Sequence, residues 1–445
     1  MQAKVSMVIP CYNKQKWIRS LFDSIIVQQW DNIELIIIND GSTDKTRDII
    51  FEYEKKLVLR GYEVNIIDQE NQGVAAAVRN GLMMVTGDYV CQIDADDELD
   101  SRYVSLMAGW LEEHPDYDWA ICDYNIVKDN SVSRSTIFPD GNVGNFNIEN
   151  IIHSVDTAVW VIMVRSSYMK SCNVVESFYI SRDANQEPQF TFPLVLGNGK
   201  LKHINEPLVF YNLRRDDTRR SKRDSYEKSK KRWNSIIAAQ NSIFQSAPLD
   251  SNNKLRLQAI SELEYNSRII YDADICNFTS QNLSDAVEHM INLAGKYFKP
   301  CKEINVQKVH NNYMHFCTAV KDNITGNRLL DIKIPQGRII AWGVLGRLGT
   351  ALFPLLKDTE LMPDELWDAA GDGIRTKKPD TEGLTENDLV LILTLWSMSI
   401  KDMISATRCN NVVFINDIRT YLAAKVFPEF YDGTISFIYP KHQES

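Results

Sequence analysis

The sequence contains no pair of cysteines in the Cys-x-x-Cys spacing that is typical of zinc sites and of thiol redox motifs. Its eight cysteines lie far apart along 445 residues. This scatter argues against a disulfide framework and against a zinc site, so we expect reduced and mostly buried thiols. The seven histidines show no metal-ligand spacing either, which favours surface or core roles for them.

Long hydrophobic runs and an excess of positive charge are also missing. The longest apolar run, residues 389–396, is much shorter than the about 20 residues of a membrane-spanning helix. A formal net charge of −10 argues against a general nucleic-acid binder, because such proteins present a basic face. Residues 1–4 lead directly into a predicted strand, so we expect no signal peptide. We therefore predict a cytoplasmic protein that at most contacts the inner face of the cell membrane.

Residues 4–100 alternate between strand and helix patterns. Buried-strand patterns lie at residues 5–9, 34–38, 64–67 and 89–93, and helical patterns lie between them. Strands that are separated by helices of this length indicate βαβ units and a parallel sheet. In such a sheet the carboxyl ends of the strands share one edge, and ligands bind at that edge.

The whole chain is predicted to have three parts. We expect an α/β domain over residues 1–223, a mainly helical middle region over residues 224–332, and a second α/β domain over residues 333–445. In the last part, Gly343, Gly346 and Gly349 follow a strand pattern, but their first spacing is one residue longer than in a dinucleotide-binding turn. Asp368 lies near where a ribose-binding acid belongs. We predict a Rossmann-like domain there, with no secure cofactor.

The most informative motif is the acidic turn of Asp94, Ala95, Asp96 and Asp97. It directly follows the apolar run of residues 89–93, so a buried strand presents carboxylates at its C-terminal edge. Paired carboxylates at that place suit a hard divalent cation that also binds phosphate oxygens. Taken alone, an acidic triplet is more often a solvated turn or a helix cap. The motifs upstream favour the metal.

The first upstream motif is the turn at Pro10, Tyr12 and Asn13, where the first predicted strand stops. We expect its backbone and side chains to shape a pocket for a base and a ribose. A plain strand-to-helix turn is the alternative interpretation.

Two more motifs follow the second and third predicted strands. Asp40 ends the second strand, where an acid can accept hydrogen bonds from an imide N–H or a ribose hydroxyl. We interpret Ser42 and Asp44, which come next, as helix N-caps. Asn71 and Gly73 open a helix; glycine permits close approach of the backbone, and a helix N-terminus favours anions.

In this order and spacing, the motifs resemble the family 2 glycosyltransferases of the GT-A fold. The resemblance implies an inverting enzyme that moves a sugar from a nucleotide-sugar, most often UDP-linked, to a hydroxyl of a glycan or lipid-linked saccharide. It also implies Mn²⁺ or Mg²⁺ as the cofactor and a role in bacterial surface polysaccharide synthesis. By position, it assigns nucleotide-sugar binding to Pro10, Tyr12, Asn13, Asp40, Asn71, Gly73, Arg79, Asp94 and Ala95, and metal binding to Asp96 and Asp94.

The sequence departs from the family pattern after Gly73. The family often has an Ala-Arg-Asn run in this helix, whereas here Val78 separates Ala77 from Arg79 and Asn80. Arginine and asparagine each stand one place late, so either of them can be the residue that faces the nucleotide.

A second departure concerns the catalytic base. The family commonly uses the aspartate of a Glu-Asp pair that precedes a Glu-Pro-Leu sequence. Counting back from Glu206 leads to Gln186 and Glu187. The resemblance thus implies Glu187 as the base and Asp183 as the alternative, while either of them can also be a plain loop carboxylate.

A basic run follows the strand pattern at residues 208–212. In the family this position often carries a basic or histidine-containing loop that closes over the diphosphate, a role that Arg214 or Arg219 can fill. The run also suits anionic lipid headgroups or a solvated charged loop. Because Lys228 and Lys231 continue the charge on a predicted helix, peripheral membrane contact stays among the expected partners.

Two other classes of function remain open. A chain that kept the fold but lost its base is a non-catalytic nucleotide-sugar-binding or scaffold protein, and the departure at Glu187 permits it. An oxidoreductase driven by the C-terminal domain is the second, and the irregular glycine spacing at Gly343 counts against it.

Overall fold

The computed structural model divides the chain into two compact units, Met1–Thr279 and Ser280–Ser445. The finer division that we predict at residues 223 and 332 stays a prediction. The structure describes residues 2–128, 131–138, 143–152, 158–182, 184–212, 225–271, 279–299, 306–325, 336–342, 356, 359–368, 380–392, 409, 411–432 and 436–437.

The core of the first unit, in its described residues, is a nine-stranded sheet. Its strands are β1 Val5–Cys11, β2 Ile33–Asp40, β3 Glu63–Gln69, β4 Tyr89–Gln92, β5 Glu98–Leu99, β6 Trp119–Lys128, β7 Ser131–Ser135, β8 Ile162–Arg165 and β9 Leu201–Asn212. They lie in the order β3-β2-β1-β4-β8-β6-β9-β5, and β7 pairs with β6 outside this path.

The first four strands form the predicted parallel sheet. Strand β1 pairs in parallel with β2 on one side and with β4 on the other, and β2 pairs in parallel with β3. Every residue of β1 and β2 is buried, as expected for Val- and Ile-rich strands whose two faces are both covered. Because the strand order reverses at β1, a crevice forms at the carboxyl ends of β1 and β4, where open α/β sheets bind ligands.

Helices cover this sheet. Helix α1 buries Ile18, Leu21, Phe22 and Ile25, which share one face. Helix α3 packs closely on β1 and β2 because Gly81 has no Cβ, which would lie 2.6 Å from side-chain carbons of both strands. The helices of the first unit are α1 Ile18–Ile26, α2 Thr46–Leu59, α3 Val74–Leu82, α4 Tyr103–Glu113, α5 Ile148–Ile152, α6 Ser166–Ser171, α7 Glu187–Leu196, α8 Tyr226–Ser246 and α9 Ser251–Tyr271.

The second half of the sheet is mixed. Strand β8 is antiparallel to β4 and β6, and β9 is parallel to β6, so β4, β6 and β9 end at the same edge. The strand predicted over residues 158–164 begins only at Ile162. Ala158 has a left-handed backbone (φ 33°) and starts the 3₁₀ helix Val159–Val161. This 3₁₀ helix packs between β4, β6, β9 and α7.

The second unit contains a four-stranded parallel sheet in its described residues. Its strands are β11 Ile339–Trp342, β12 Glu365–Trp367, β13 Leu389–Ile392 and β14 Asn411–Phe414, in the order β12-β11-β13-β14. Ile339 packs on one face of this sheet and Ile340 on the other, so both faces carry a hydrophobic core. This is the predicted Rossmann-like arrangement.

Further elements of the second unit flank that sheet in sequence. Strand β10 Phe298–Lys299 pairs with β15 Ser436–Phe437. The helices are α10 Ser280–Tyr297, α11 Val306–Asn311, α12 Tyr313–Thr325 and α13 Ile415–Val426.

The expectations about membrane-spanning helices and about cysteines can be compared with the described residues. Their helices include none that is both long enough and apolar enough to cross a bilayer. The cysteines among them are free thiols and are buried except for the half-buried Cys172; they are Cys11, Cys91, Cys122, Cys172, Cys317 and Cys409.

Candidate active site

The loop after β1 is shaped by Asn13, whose backbone is left-handed. Its φ of 53° is one that asparagine adopts more readily than most residues. Its side-chain oxygen accepts a hydrogen bond from the Thr43 N–H at 2.8 Å, and its own N–H donates to Ser42 Oγ at 3.1 Å. The loop after β1 is therefore fastened to the loop after β2. Between the buried Pro10 and Asn13, the side chain of Tyr12 is 44% exposed.

The predicted N-cap role is wrong for Ser42 and incomplete for Asp44. Lys45 occupies the N-cap position of α2, and its own side chain makes no capping hydrogen bond. Ser42 Oγ binds the backbone of the neighbouring loop instead. Asp44 accepts hydrogen bonds from the Thr46 N–H at 2.9 Å and from the Gln15 N–H at 3.1 Å. Burial alone would raise the pKa of Asp44, but these hydrogen bonds hold it below its ordinary value.

Asp40, at the end of β2, is buried and accepts three hydrogen bonds. Its Oδ1 accepts from Gln69 Nε2 at 2.8 Å and from the Gln72 N–H at 2.9 Å, and its Oδ2 accepts from the Gly73 N–H at 3.0 Å. Hydrogen bonds to an ionised acceptor are stronger than neutral ones. Asp40 therefore braces the loop between β3 and α3. The uridine-binding role that we assign to it stays a prediction.

Glycines allow three chain segments to meet at this edge. Gly41 has a φ of 67°, and a Cβ there would lie 2.6 Å from the backbone nitrogen of Asn71. Gly73 has a φ of 93°, and its Cβ would lie 2.8 Å from the carbonyl oxygen of Arg182. Both positions need glycine for the positive φ and for the close backbone approach. The segment that precedes Glu187 is thus packed against the start of α3.

The contacts of Asn80 bear on whether Arg79 or Asn80 is the residue that faces the nucleotide. Asn80 Nδ2 donates to Gln69 Oε1 at 2.8 Å, and Gln69 donates in turn to Asp40. Asn80 therefore belongs to the bracing network around Asp40. Arg79, half-buried in the last turn of α3, stays the predicted nucleotide-binding residue.

The acidic turn follows β4 directly and is held by β9. Asp94 and Asp96 are half-buried, and Ala95 between them is buried. Asn212, the last residue of β9, donates its side-chain N–H to the Asp96 carbonyl at 3.0 Å and its backbone N–H to Asp97 Oδ1 at 3.2 Å. The strand that leads to the basic run therefore ends against the acidic turn.

Lys14 connects the loop after β1 to the same acidic turn. Its Nζ lies 2.6 Å from Asp96 Oδ2, and the two side chains are 26% and 20% exposed. Its backbone N–H donates to Thr46 Oγ1 at 2.7 Å. Sequence reasoning missed Lys14 because the pairing spans 82 positions and no local pattern marks it.

The acidic turn fits a divalent cation that takes few ligands from the protein. Across the described ranges, no three His, Cys, Asp or Glu side chains gather into a ready metal cluster. Mg²⁺ is commonly held by one or two carboxylates and completed by water and substrate phosphates. Asp94 and Asp96 can supply such a pair, so this donor set suits a cation that arrives with a phosphate-bearing substrate.

Glu187 is the first residue of α7 and is half-buried. Asn185 Nδ2 donates to its Oε2 at 3.2 Å, and a helix N-terminus favours a negative charge. The alternative base Asp183 lies outside the described residues, and so do Arg214 and Arg219. The roles assigned to all four stay predictions.

Three aromatic side chains from three different elements meet near this edge. Trp160 of the 3₁₀ helix stacks on Tyr211 of β9 with ring centroids 5.2 Å apart. It meets Tyr124 of β6 edge-on at 4.9 Å. Sequence reasoning did not single out these residues, because only the fold brings the three elements together. They form a rigid wall beside α7, which begins with Glu187.

In the second unit, Asp368 directly follows β12. That is where a ribose-binding acid is expected. Gly343, Gly346 and Gly349 lie outside the described residues. The prediction of no secure cofactor for this unit stays a prediction.

Comparison with known proteins finds a family match within the first unit. The model of the family described as Glycosyl transferase family 2 matches residues 6–171. Uncharacterized glycosyltransferase YibD of Escherichia coli K12 is 39% identical over 121 residues, which are 27% of this chain and 33% of that protein. Glycosyltransferase GlyA of Streptococcus pneumoniae serotype 4 is 35% identical over 111 residues, 25% of this chain and 15% of that protein. The chain thus spans at most a third of the length of these two relatives.

A solved structure supports the fold over a longer stretch. The crystal structure of S. aureus TarS 1-349 in complex with UDP-GlcNAc matches with a TM-score of 0.52 and 17% identity, over 75% of this chain and 95% of that one. At this identity the likeness shows the fold alone. Together with the parallel sheet and the motifs at its carboxyl edge, these matches show a domain of the glycosyltransferase family 2 type over residues 6–171, with the GT-A fold.

Proposed function

We propose that this protein is an inverting glycosyltransferase that moves a sugar from a nucleotide-sugar, a UDP-sugar, to an acceptor hydroxyl. The observation that carries the proposal is the contact between Gly73 and the Arg182 backbone. It packs the segment leading to Glu187 against the loop that Asp40 braces. The proposed donor site and the proposed base would thereby share one edge of the sheet. The similar proteins that are named glycosyltransferases, and TarS with its UDP-GlcNAc, support the same reaction.

The donor occupies the crevice at the carboxyl ends of β1, β2 and β4 in this proposal. The catalytic domain is taken as residues 1–223. The uridine contacts Pro10, Tyr12 and Asp40, and the diphosphate lies near the N-terminus of α3, where backbone N–H groups favour anions. The remaining proposed donor residues are Asn13, Asn71, Gly73, Arg79, Asp94, Ala95, Arg214 and Arg219.

Asp94 and Asp96 are the proposed ligands of Mn²⁺ or Mg²⁺. When bound, such an ion stabilises the negative charge that develops on the departing diphosphate. The chain's own contribution is to hold the two carboxylates in place, and Asn212 does this through its hydrogen bonds to the acidic turn.

Glu187 is the proposed base, with Asp183 as the alternative. The base takes the proton of the acceptor hydroxyl while its oxygen attacks the anomeric carbon from the face opposite the diphosphate. The bond to the diphosphate breaks as the new glycosidic bond forms, so UDP leaves and an α-linked donor gives a β-glycoside. No covalent intermediate with the protein is needed. Asn185 and the start of α7 keep Glu187 oriented.

The proposed acceptor is a growing glycan or a lipid-linked saccharide in bacterial surface polysaccharide synthesis, and the proposed location is the cytoplasm. Exposed lysines near the start of α8, Lys228, Lys230 and Lys231, continue the basic run. Cationic side chains of this kind attract anionic membrane surfaces. They support contact of the enzyme with the inner face of the membrane, where a lipid-linked acceptor is found.

UDP release from UDP-sugars, assayed with and without Mn²⁺, tests the proposal. Asp96→Ala should abolish the metal-dependent release, and full activity of this variant would refute the metal assignment. Glu187→Gln should lower release by roughly 10²–10⁴-fold and leave UDP affinity unchanged, because the variant keeps the size of the side chain. Glu176→Gln, which alters an exposed glutamate between α6 and α7, is the matched control and should keep full activity.

The same assay separates the non-catalytic alternative. A scaffold protein with this fold binds UDP but releases none from any donor, even with acceptor present. That outcome in the wild-type protein would replace the enzymatic proposal.

A further inference from the structure

Lys14 is held in place more firmly than a surface lysine usually is. The left-handed turn at Asn13 and the hydrogen bond from the Lys14 N–H to Thr46 Oγ1 fix its backbone beside α2. From there its side chain reaches across the edge of the sheet to Asp96 at 2.6 Å. The turn at Asn13 and the contact with Thr46 therefore place the ammonium group of Lys14 on a carboxylate of the acidic turn.

An ammonium group and a divalent cation compete for that carboxylate. Both are attracted by the charge of Asp96, and both need its oxygen at contact distance. If Asp96 binds the cation that accompanies the diphosphate, Lys14 must release Asp96 Oδ2. Its charge is then left beside the diphosphate, the strongest anion at this edge. A lysine has a long flexible stem with a compact charge, so a shift of this size needs no movement of the backbone.

We propose that Lys14 is a donor-binding residue with two successive partners. It pairs with Asp96 before the donor binds, and it pairs with the diphosphate of the donor afterwards. This inference rests on the proposed function, because it assumes that a nucleotide diphosphate and a divalent cation bind at the acidic turn. Until the donor binds, the ion pair screens the charge of Asp96 and weakens the binding of the cation alone.

The two partners predict effects of opposite sign in Lys14→Met, which removes the charge and keeps the length of the chain. Without its competitor, Mn²⁺ alone should bind roughly two- to fivefold more tightly, the range that partly exposed ion pairs support. UDP in the presence of saturating Mn²⁺ should bind roughly tenfold more weakly, because a charge-assisted hydrogen bond is lost. Uridine, which has no phosphate, should bind equally to both proteins.

The measurements are electron paramagnetic resonance of free Mn²⁺ and calorimetric titration with UDP and with uridine, on the full chain. Lys14→Arg keeps the charge and should keep most of the affinity for UDP. Lys16→Met is the matched control, because Lys16 is exposed, lies on the same loop and has no contact with the acidic turn among the described residues. It should change neither affinity.

Each other result overturns the inference in a recognisable way. If Lys14→Met weakens both Mn²⁺ and UDP, Lys14 is only a brace of its loop. If its UDP affinity equals that of the wild type, the diphosphate is not its partner. If the wild-type protein itself binds no UDP in the presence of Mn²⁺, the proposed function fails, and the inference fails with it.

Discussion

Replacing Gly73 by alanine tests whether the contact between α3 and the Arg182 segment builds the active site. The backbone at Gly73 has a φ of 93°, and the added Cβ would lie 2.8 Å from a carbonyl oxygen and 3.1 Å from the Cα of Arg182. Two penalties therefore add. With a ψ of 160°, this backbone conformation is essentially restricted to glycine and costs an alanine about 1–3 kcal/mol, and forcing a methyl group into a packed position costs about 1–3 kcal/mol more.

Gly61 offers a control that separates the two penalties. Its φ of 98° is nearly the same, but a Cβ there would meet no atom within 4 Å. Gly61→Ala should therefore lose only the about 1–2 kcal/mol of backbone strain. In a thermal unfolding experiment Gly73→Ala should melt below Gly61→Ala by roughly 2–12 °C, which is the clash penalty of about 1–3 kcal/mol at about 2–4 °C per kcal/mol for a domain of this size.

The same pair of variants should differ more strongly in catalysis. The clash at Gly73 is relieved when the Arg182 segment moves away, and this movement displaces Glu187 at the start of α7. An ångström of misplacement in a catalytic group costs about 10²-fold in rate. We expect UDP release to fall by about that factor in Gly73→Ala and to stay near the wild-type rate in Gly61→Ala. Equal stability and equal activity of the two variants would refute the reasoning, because the close contact would then have no consequence.

Three further substitutions probe buried carboxyl groups and their hydrogen bonds. Asp40→Asn should lower UDP affinity and cost about 1–3 kcal/mol of stability in urea unfolding, since its amide cannot accept all the hydrogen bonds from Gln69, Gln72 and Gly73; an unchanged unfolding midpoint would contradict this. Burial raises the pKa of Glu34, but hydrogen bonds from Ser6 and Thr86 and the charge of Lys4 bring this pKa below the ordinary 4.5. The contribution of Glu34 to stability is therefore complete above that pH, and it is lost as the pH falls through the folded-state pKa. Unfolding measured from about pH 7 down to about pH 3 should show this acid-induced loss in the wild type and a smaller one in Glu34→Gln, and identical pH profiles would exclude the assignment. In the second unit, burial raises the pKa of Asp388, but the Arg338 guanidinium and the Thr385 N–H lower it to about 2. Asp388→Asn should therefore destabilise the protein at about pH 7, and its stability should approach that of the wild type as the pH falls from about 4 towards about 2. An equal difference in stability at both ends of that range would argue against a role of the Asp388 charge.

The four parallel strands at the start of the first unit could be predicted because their signal is local. The apolar run from Leu35 to Ile38 is long enough to indicate a strand that is buried on both faces, and the sheet buries every residue of β2. The acidic turn and Gly73 could be predicted for the same reason, since each follows a strand pattern closely in the sequence. The C-terminal end of helix α2 is harder to predict from the sequence. The helix continues to Leu59 through a mixture of charged and apolar residues, which weakens its helical pattern.

The contacts that build the site could not be predicted, because each joins residues far apart in the chain. Lys14 meets Asp96, Gly73 meets the backbone of Arg182, and Asn212 meets the acidic turn. A sequence pattern reports on neighbours within one strand or one helix turn, whereas these pairs depend on the order of strands in the sheet. The residue types were therefore predictable and their partners were not.

The same groups that are predicted to bind the donor also hold the loops of the site together. Asp40 accepts backbone hydrogen bonds from the loop before α3, Asn13 fastens two loops to each other, and Asp96 pairs with Lys14. A polar group that is already hydrogen-bonded costs little to keep buried, whereas an unsatisfied one costs about 1–3 kcal/mol. The site is thus ordered before the donor arrives, and a donor that uses these groups must exchange one set of partners for another. Only part of the gross binding energy can then appear as affinity, and the exchange at Asp96 is the step where that cost is greatest, because there a full ion pair has to open.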